Sequence, residues 1–440
     1  MLCNLNSITN IFGLCVVVTV ASAEHDCNCN WTDLPTGRHT VDASTGVSWG
    51  DVNGDGYDDL VIATEDGGPT YMFLNDGAGG FVQISDPWLD AFHAMKCPQL
   101  GDFDNDGDLD LAAINFGEQC YLGENQDMTF VKINIPLMLS LGNAGNIPGN
   151  VMARGGTWVD YNADGLLDIY ISTNAASPSV DRDKLLRNYG NGIFVDVSPD
   201  VFADPDIGRG LVWSDFDNDG DVDLYAAAGT GCPCNWNEVP DNWLERASNN
   251  MYRNEGGVFT DVTNGVTIDI DNARGVTAGD YDNDGDIDIF ICNLEVTGQE
   301  GSNPESFGGF NKLLKNLLID NGVLNPMNAF LFEDVTPDAL RPAGGQRACG
   351  WLDADNDGDL DLLLVPYDGT ATTILFENIN NGESFVPMCE EIFDDPLYDG
   401  FNGQGCAFSD FDKDGDVDIF ITFRHHEDGQ FNRFLRNDLA

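Results

Sequence analysis

The sequence predicts an all-β protein, a seven-bladed β-propeller of four-stranded blades closed by an N-terminal strand that completes the last blade. Three observations carry this expectation. A nine-residue acidic loop recurs seven times, each copy runs straight into a short apolar strand, and the strand missing from the last repeat stands near the N-terminus.

The loops begin at Asp51, Asp102, Asp160, Asp215, Asp280, Asp353 and Asp410, and each reads D-x-[D/N]-x-D-G-x-x-D. Positions one, three, five and nine are Asp51, Asn53, Asp55 and Asp59 in the first copy, and Asp102, Asp104, Asp106 and Asp110 in the second. They are Asp160, Asn162, Asp164 and Asp168 in the third, and Asp215, Asp217, Asp219 and Asp223 in the fourth. The last three copies supply Asp280, Asp282, Asp284 and Asp288; Asp353, Asp355, Asp357 and Asp361; and Asp410, Asp412, Asp414 and Asp418. A hard cation such as Ca²⁺ takes about six to eight oxygen ligands, and alternate residues of a tight loop aim that many inward. Glycine at position six permits the bend. The carbonyl at position seven would add an oxygen, so the side chain there (Tyr57, Leu166 or Asp) is expected to be indifferent.

An EF-hand would need Glu at position twelve and flanking helices. Here position twelve is Ile62, Ala113, Ile171, Ala226, Ile291, Leu364 or Ile421. The runs that contain it, such as Asp-Ile-Tyr-Ile-Ser and Asp-Ile-Phe-Ile-Cys, read as buried strands. The pattern is therefore a calcium loop between two strands. Close carboxylates repel one another without a cation, so about seven structural Ca²⁺ ions are expected.

The loop starts are 51, 58, 55, 65, 73 and 57 residues apart, a spacing that marks one repeat array. In each repeat a short strand enters the loop and an apolar strand leaves it. A third strand ends in Asn75, Asn125, Asn188, Asn254, Asn316, Asn378 or Asn437. A fourth opens on Phe81, Phe130, Phe194, Phe259, Phe332 or Phe385. Four such strands make one blade. The seventh repeat stops after its third strand, and Trp31-Thr-Asp-Leu34 aligns with Phe259-Thr-Asp-Val262, so the N-terminal strand should close the ring. Closure also removes exposed sheet edges.

These residues resemble the FG-GAP or VCBS-type repeats of the integrin α-subunit propeller and its secreted relatives. The loop Gly101-Asp-Phe-Asp-Asn-Asp-Gly-Asp-Leu-Asp110 and the run Asn254-Glu-Gly-Gly-Val-Phe-Thr-Asp-Val-Thr263 carry the likeness. The resemblance implies a seven-bladed propeller with Ca²⁺ between the first and second strands of each blade. It does not imply one function. This chain carries the loop in all seven repeats, where integrins have it in fewer.

The formal net charge is −56, to which the four ligand positions contribute 26 Asp. Nucleic acid and anionic membranes are therefore excluded as general partners. Residues 11–20 are an apolar run followed by Ala21-Ser22-Ala23, so residues 1–23 are expected to be a signal peptide and 24–440 the secreted propeller. No second long apolar segment follows, and no membrane span is expected. Ten cysteines remain after residue 23, with Cys97–Cys120 and Cys389–Cys406 as candidate local disulfides.

A partner would sit on the face opposite the calcium loops, where the connections lengthen. Trp236 and Trp243 lie in one insertion and suit sugar stacking or protein anchoring; covering the loop's own small core is the competing role. Six residues before each loop stand Thr45, Lys96, Arg154, Arg209, Arg274, Arg347 and Gln404. Five cations at one repeat position could grip a carboxylate or sulfate. Alternatively each could bridge to a neighbouring acid such as Asp196, Asp261 or Asp334. The sequence thus points to an extracellular protein or an acidic polysaccharide as partner. The alternative function is a polysaccharide lyase, in which Arg would neutralise a uronate carboxylate and His or Tyr would act as base; His425 and His426 stand on that face, and the sequence shows no assembled catalytic constellation.

Overall fold

In the computed structural model, the described residues are mainly β-strands, with short 3-10 helices between some of them. It describes residues 31–34 and 44–439, except 65–68, 90–94, 116–119, 134, 136–151, 175–182, 203–207, 230–247, 269–271, 295–309, 321, 343, 368–370, 390–401 and 425–431.

Seven antiparallel sheets of four strands each follow one another round the ring. The first blade is Ser44–Gly50, Asp59–Thr64, Tyr71–Asn75 and Phe81–Ile84, each strand pairing with the next. The fourth blade repeats the pattern with Gly208–Ser214, Asp223–Ala228, Asn250–Glu255 and Val258–Asp261. In the seventh, Asn402–Ser409, Asp418–Arg424 and Arg433–Asn437 are completed by Trp31–Asp33. The closing register is Trp31 opposite Asn437, Thr32 opposite Arg436 and Asp33 opposite Leu435. The predicted closure is what the structure shows. The fifth blade adds a small hairpin, Ile319–Asp320 with Val323–Leu324, before its last strand.

The second strands are apolar on both faces because each is covered by neighbouring blades on both sides; Asp59–Thr64, Asp110–Asn115 and Asp361–Pro366 are buried at every residue. The core lies between blades. One cluster joins Tyr170 and Leu185 of the third blade to Trp213, Tyr252 and Phe259 of the fourth. The aromatic that opens a fourth strand packs on the second loop residue of the preceding blade: Phe194 on Phe103 at 5.8 Å, Phe259 on Tyr161 at 5.8 Å, and Phe81 on Phe411 at 5.6 Å across the closing interface. Such ring pairs add specificity to the apolar burial. Close approach explains a glycine here and there: a Cβ on Gly101 would stand 2.7 Å from the Trp158 ring of the next blade.

Candidate metal centres

The acidic loops take one conformation seven times. Gly at position six has φ between +84° and +100° in all copies. Position four is also left-handed throughout: Gly54, Asn105, Ala163, Asn218, Asn283, Asn356 and Lys413. Asn tolerates this region and Ala and Lys pay for it. The sequence reading passed over this position, although the recurrence of Asn and Gly there is a signal of positive φ.

Each carboxylate has a fixed structural task. At position one, Asp51 accepts the N–H of Asp55 at 3.0 Å and of Gly56 at 2.8 Å, and Asp215 accepts those of Asp219 and Gly220 at 3.0 and 2.8 Å. At position five, Asp219 accepts the N–H of Asp221 at 3.0 Å. Position nine is buried and ties the loop to the third strand. Asp223 accepts the N–H of Phe216 at 3.0 Å and of Asn254 at 2.8 Å. The same bond to the strand-ending Asn recurs in all seven blades.

That asparagine has a second task. Its amide donates to the carbonyl at position two of the preceding blade's loop and, in the first six blades, also to the carbonyl at position eight of its own loop. Asn254 reaches Val222 at 3.0 Å and Tyr161 at 2.7 Å. Seven such bonds close the circle: Asn75 to Phe411, Asn125 to Val52, Asn188 to Phe103, Asn254 to Tyr161, Asn316 to Phe216, Asn378 to Tyr281 and Asn437 to Ala354. These residues mark strand ends in the sequence; their role as blade staples needs the fold.

In five blades the loop carboxylates converge within 4.8 Å: Asp102, Asp104 and Asp110; Asp215, Asp217 and Asp223; Asp280, Asp282 and Asp288; Asp353, Asp355 and Asp357; Asp410, Asp412 and Asp418. In the first and third blades position three is Asn, and the amides of Asn53 and Asn162 donate to Asp55 and Asp168. The donor set in these clusters is oxygen only, with no His or Cys, which suits a hard cation and not a soft one. Buried oxygens without any hydrogen-bond donor remain on Asp104, Asp217, Asp282 and Asp412 at position three and on Asp288 at position nine. An ionised carboxylate only accepts, so a buried oxygen with no donor is a place for a cation.

The electrostatics agree. Burial pushes the position-nine carboxyls up, to about 6 for Asp59, about 7 for Asp168 and about 8 for Asp110, Asp223 and Asp418; neighbouring loop carboxylates push the same way and backbone N–H bonds oppose them. Asp288 and Asp361 are driven well above the usual carboxylate range by the same burial. Without positive charge the loops cannot hold all their carboxylates ionised at neutral pH.

Position seven corrects the expectation of indifference. Asp221, Asp286 and Asp359 accept the N–H groups of Gly256, Ile319 and Asn381, and so fasten the turn after the third strand to the loop. Cations approach from the same strand: Arg253 meets Asp217 at 2.9 Å and Asp219 at 3.3 Å, and Lys315 bonds Asp282 and Asp284. A cavity of about 290 Å³ lies among the loops of the fourth to sixth blades, and Asp280 and Asp353 make its lining acidic.

The repeat position of Lys96, Arg154, Arg209, Arg274 and Arg347 falls in a β-bulge of every first strand. Thr45 and Gln404 occupy the other two bulges. A bulge re-aims the side chain it carries. The backbone bulges of neighbouring blades abut, since a Cβ on Gly46 would stand 2.3 Å from the Lys96 carbonyl and one on Gly275 2.9 Å from that of Arg347. Lys96, Arg209, Arg274 and Arg347 are half-buried, and Arg347 lies over the Tyr367 ring at 5.3 Å. Asp196 and Asp334, offered as bridging partners, bind Lys184 and Arg341 instead. The side chain of Arg154, both Trp236 and Trp243, His425 and His426, and residues 1–23 lie outside the described residues.

The expected disulfides are not formed. Cys97, Cys120 and Cys406 take part in no disulfide. Cys97 faces the third blade and donates to the Gly156 carbonyl at 3.5 Å, while Cys120 turns to the Asn115 backbone. Cys389, itself disulfide-bonded, follows the outermost strand of its blade, and Cys406 lies on the innermost strand of the next.

Fold and loops together define a seven-bladed propeller whose blades each carry an acidic loop between first and second strands. The chain belongs to the FG-GAP-like repeat family, whose model matches residues 42–113, 160–226, 242–291 and 353–421, more than half of its length. It is similar to cartilage acidic protein 1 of Mus musculus, 29% identical over 203 residues, which covers 46% of this chain and 27% of that protein. The human protein of that name is 29% identical over 201 residues, 45% of this chain and 26% of its own length. The chain thus spans about a quarter of the relatives it matches. A crystal structure of BBS1N in complex with ARL6DN shares the fold at a TM-score of 0.52 and 10% identity, over 93% of this chain and 97% of that one.

Proposed function

We propose that this protein is an extracellular binding propeller stabilised by structural Ca²⁺ in its acidic loops. The observation that carries the reading is the set of buried carboxylate oxygens that converge without donors in the loops. When bound, Ca²⁺ supplies the positive charge that lets these carboxylates ionise where they are buried. The loop residues at positions one, three, five and nine would hold it, and each also braces the turn through backbone N–H groups.

Secretion is supported by the apolar run 11–20 with Ala21-Ser22-Ala23 after it and by relatives named for cartilage and acidity. No helix among the described residues is long and apolar enough to cross a membrane. The partner, a protein or an acidic glycan, is assigned to the face opposite the loops. Lys96, Arg154, Arg209, Arg274 and Arg347 would supply its positive charge and Trp236 and Trp243 its flat apolar contacts. Metal analysis after gel filtration, with melting followed in Ca²⁺ and in chelator, tests the first part. Bound calcium near seven per chain and a large fall in melting temperature on chelation are expected; unchanged melting would sink it. Retention on immobilised acidic polysaccharides, lost in Arg209→Ala with Arg274→Ala, tests the second.

A further inference from the structure

The seven loops share their carboxylates but not the residue that stands over them. Immediately before the stapling asparagine come Leu74, Glu124, Arg187, Arg253, Lys315, Glu377 and Arg436 in blades one to seven. In four blades this residue is a cation, and it reaches the loop. Arg187 meets Asp164 at 2.9 Å, Arg253 meets Asp217 at 2.9 Å and Asp219 at 3.3 Å, and Arg436 meets Asp412 at 3.9 Å. Lys315 bonds Asp282 and stands 3.0 Å from Asp284. In two blades the same position is a carboxylate. Glu124 is half-buried, held by Gln126 at 2.7 Å and within electrostatic reach of Asp104; Glu377 is 5% exposed.

We propose that the residue before the stapling asparagine grades the loops by cation affinity: Glu124 and Glu377 make the second and sixth blades tight, and Arg187, Arg253, Lys315 and Arg436 make the third, fourth, fifth and seventh weak. Leu74 places the first blade between them. The inference rests on the reading of the loops as Ca²⁺ sites. An ammonium or guanidinium on positions three and five takes up carboxylate lone pairs that a metal would use, and it repels a divalent ion. Its presence also relieves the repulsion that makes an empty loop unstable, which lowers the gain from binding. A carboxylate at the same point does the reverse. A unit charge within ~6 Å of a divalent ion changes its affinity by roughly tenfold even at the dielectric constant of water. The weak loops are contiguous over blades three to five, so a fall in Ca²⁺ would loosen that arc while the second and sixth blades stay braced.

Hydrogen exchange read by peptide mass spectrometry on the full chain, across a buffered Ca²⁺ series, yields a separate protection midpoint for each loop. Loops 102–110 and 353–361 are expected to be protected at Ca²⁺ concentrations about tenfold or more below those needed by 215–223 and 280–288. Lys315→Met should lower the 280–288 midpoint by about tenfold and leave 353–361 in place. Glu124→Gln should raise the 102–110 midpoint by a similar factor, which keeps the test open if the lysine variant fails to fold. A common midpoint for all loops, or midpoints unmoved by both substitutions, overturns the grading while the Ca²⁺ reading stands. No Ca²⁺-dependent protection in any loop overturns both.

Discussion

Asn75 of the first blade donates its side-chain amide to the main-chain carbonyl of Phe411 at 2.7 Å, joining residues 336 positions apart across the interface where the ring closes. Its backbone N–H is meanwhile held by Asp59 at 2.9 Å, at the end of the first blade's own acidic loop. Each acidic loop is thus bolted through one asparagine to the loop before it.

Removing a staple should cost more than an ordinary surface change. Asn254 is fully buried, and its amide bonds Tyr161 and Val222 while its Oδ1 accepts the N–H of Gly257. Asn254→Ala strands two carbonyls and a turn N–H, at about 1–3 kcal/mol per buried group left unpaired, discounted for water that enters. A loss of roughly 2–4 kcal/mol is expected by urea unfolding. Asn254→Asp should be worse, because a carboxylate would then face two carbonyl oxygens. A change below about 0.5 kcal/mol for either variant would deny the staple its role.

The pH dependence of stability should change sign with calcium. Without a cation the position-nine carboxyls have folded pKa values raised to about 6 to 8 against about 3.9 in the unfolded chain. Between those limits the folded state binds more protons, so stability is fully present below pH ~4 and is lost as pH rises toward ~8. In saturating Ca²⁺ the ion displaces those protons, and stability should rise over the same window. Melting temperatures at pH 5 and pH 8, in calcium-free and calcium-rich buffer, should therefore cross. Parallel trends would contradict the position-nine groups as ligands.

Position four offers a gain. Ala163 holds φ +53°, where its equivalents Asn105, Asn218 and Asn283 also send an amide to the next blade's loop, to Gly165 at 2.9 Å, Gly285 at 3.3 Å and Gly358 at 3.4 Å. Ala163→Asn relieves the left-handed strain and can supply the missing bond, for about 0.5–1.5 kcal/mol of added stability. Gly220→Ala is the converse: φ is +99° with open space around the Cβ, so the whole cost, about 1 kcal/mol or more, is backbone. Melting curves of the two variants should move in opposite directions.

Cys292 and Cys349 bring their sulfurs to 2.9 Å across the interface of the fifth and sixth blades. Burial and the adjacent Cys292 hold the Cys349 thiol well above its usual range, so reaction should be slow. With a small-molecule disulfide as oxidant, the two thiols pass two electrons and two protons to it; a Cys292–Cys349 bond forms and two small thiols leave. Non-reducing peptide mapping should find that crosslink after prolonged exposure, and Cys349→Ala should abolish it. Two unmodified thiols under the same exposure would show that the blades hold the pair apart.

What the sequence determined by itself was everything carried by neighbours in the chain. Nine consecutive residues, from Asp215 to Asp223, contain a whole loop, and the apolar run after it can only be a strand buried on both faces. Ring closure was legible too, since Trp31-Thr-Asp repeats the pattern missing after Asn437. Tertiary structure alone decided what crosses from blade to blade. The partner of Asn254 is a main-chain carbonyl, which carries no side-chain signature, so no pattern in the sequence points to Tyr161. The bulges that set Arg209 and Arg274, and the meeting of Cys292 with Cys349 in place of the nearer pairs Cys97–Cys120 and Cys389–Cys406, follow from blade packing. Proximity along the chain and proximity across a blade interface are different quantities, and only packing sets the second.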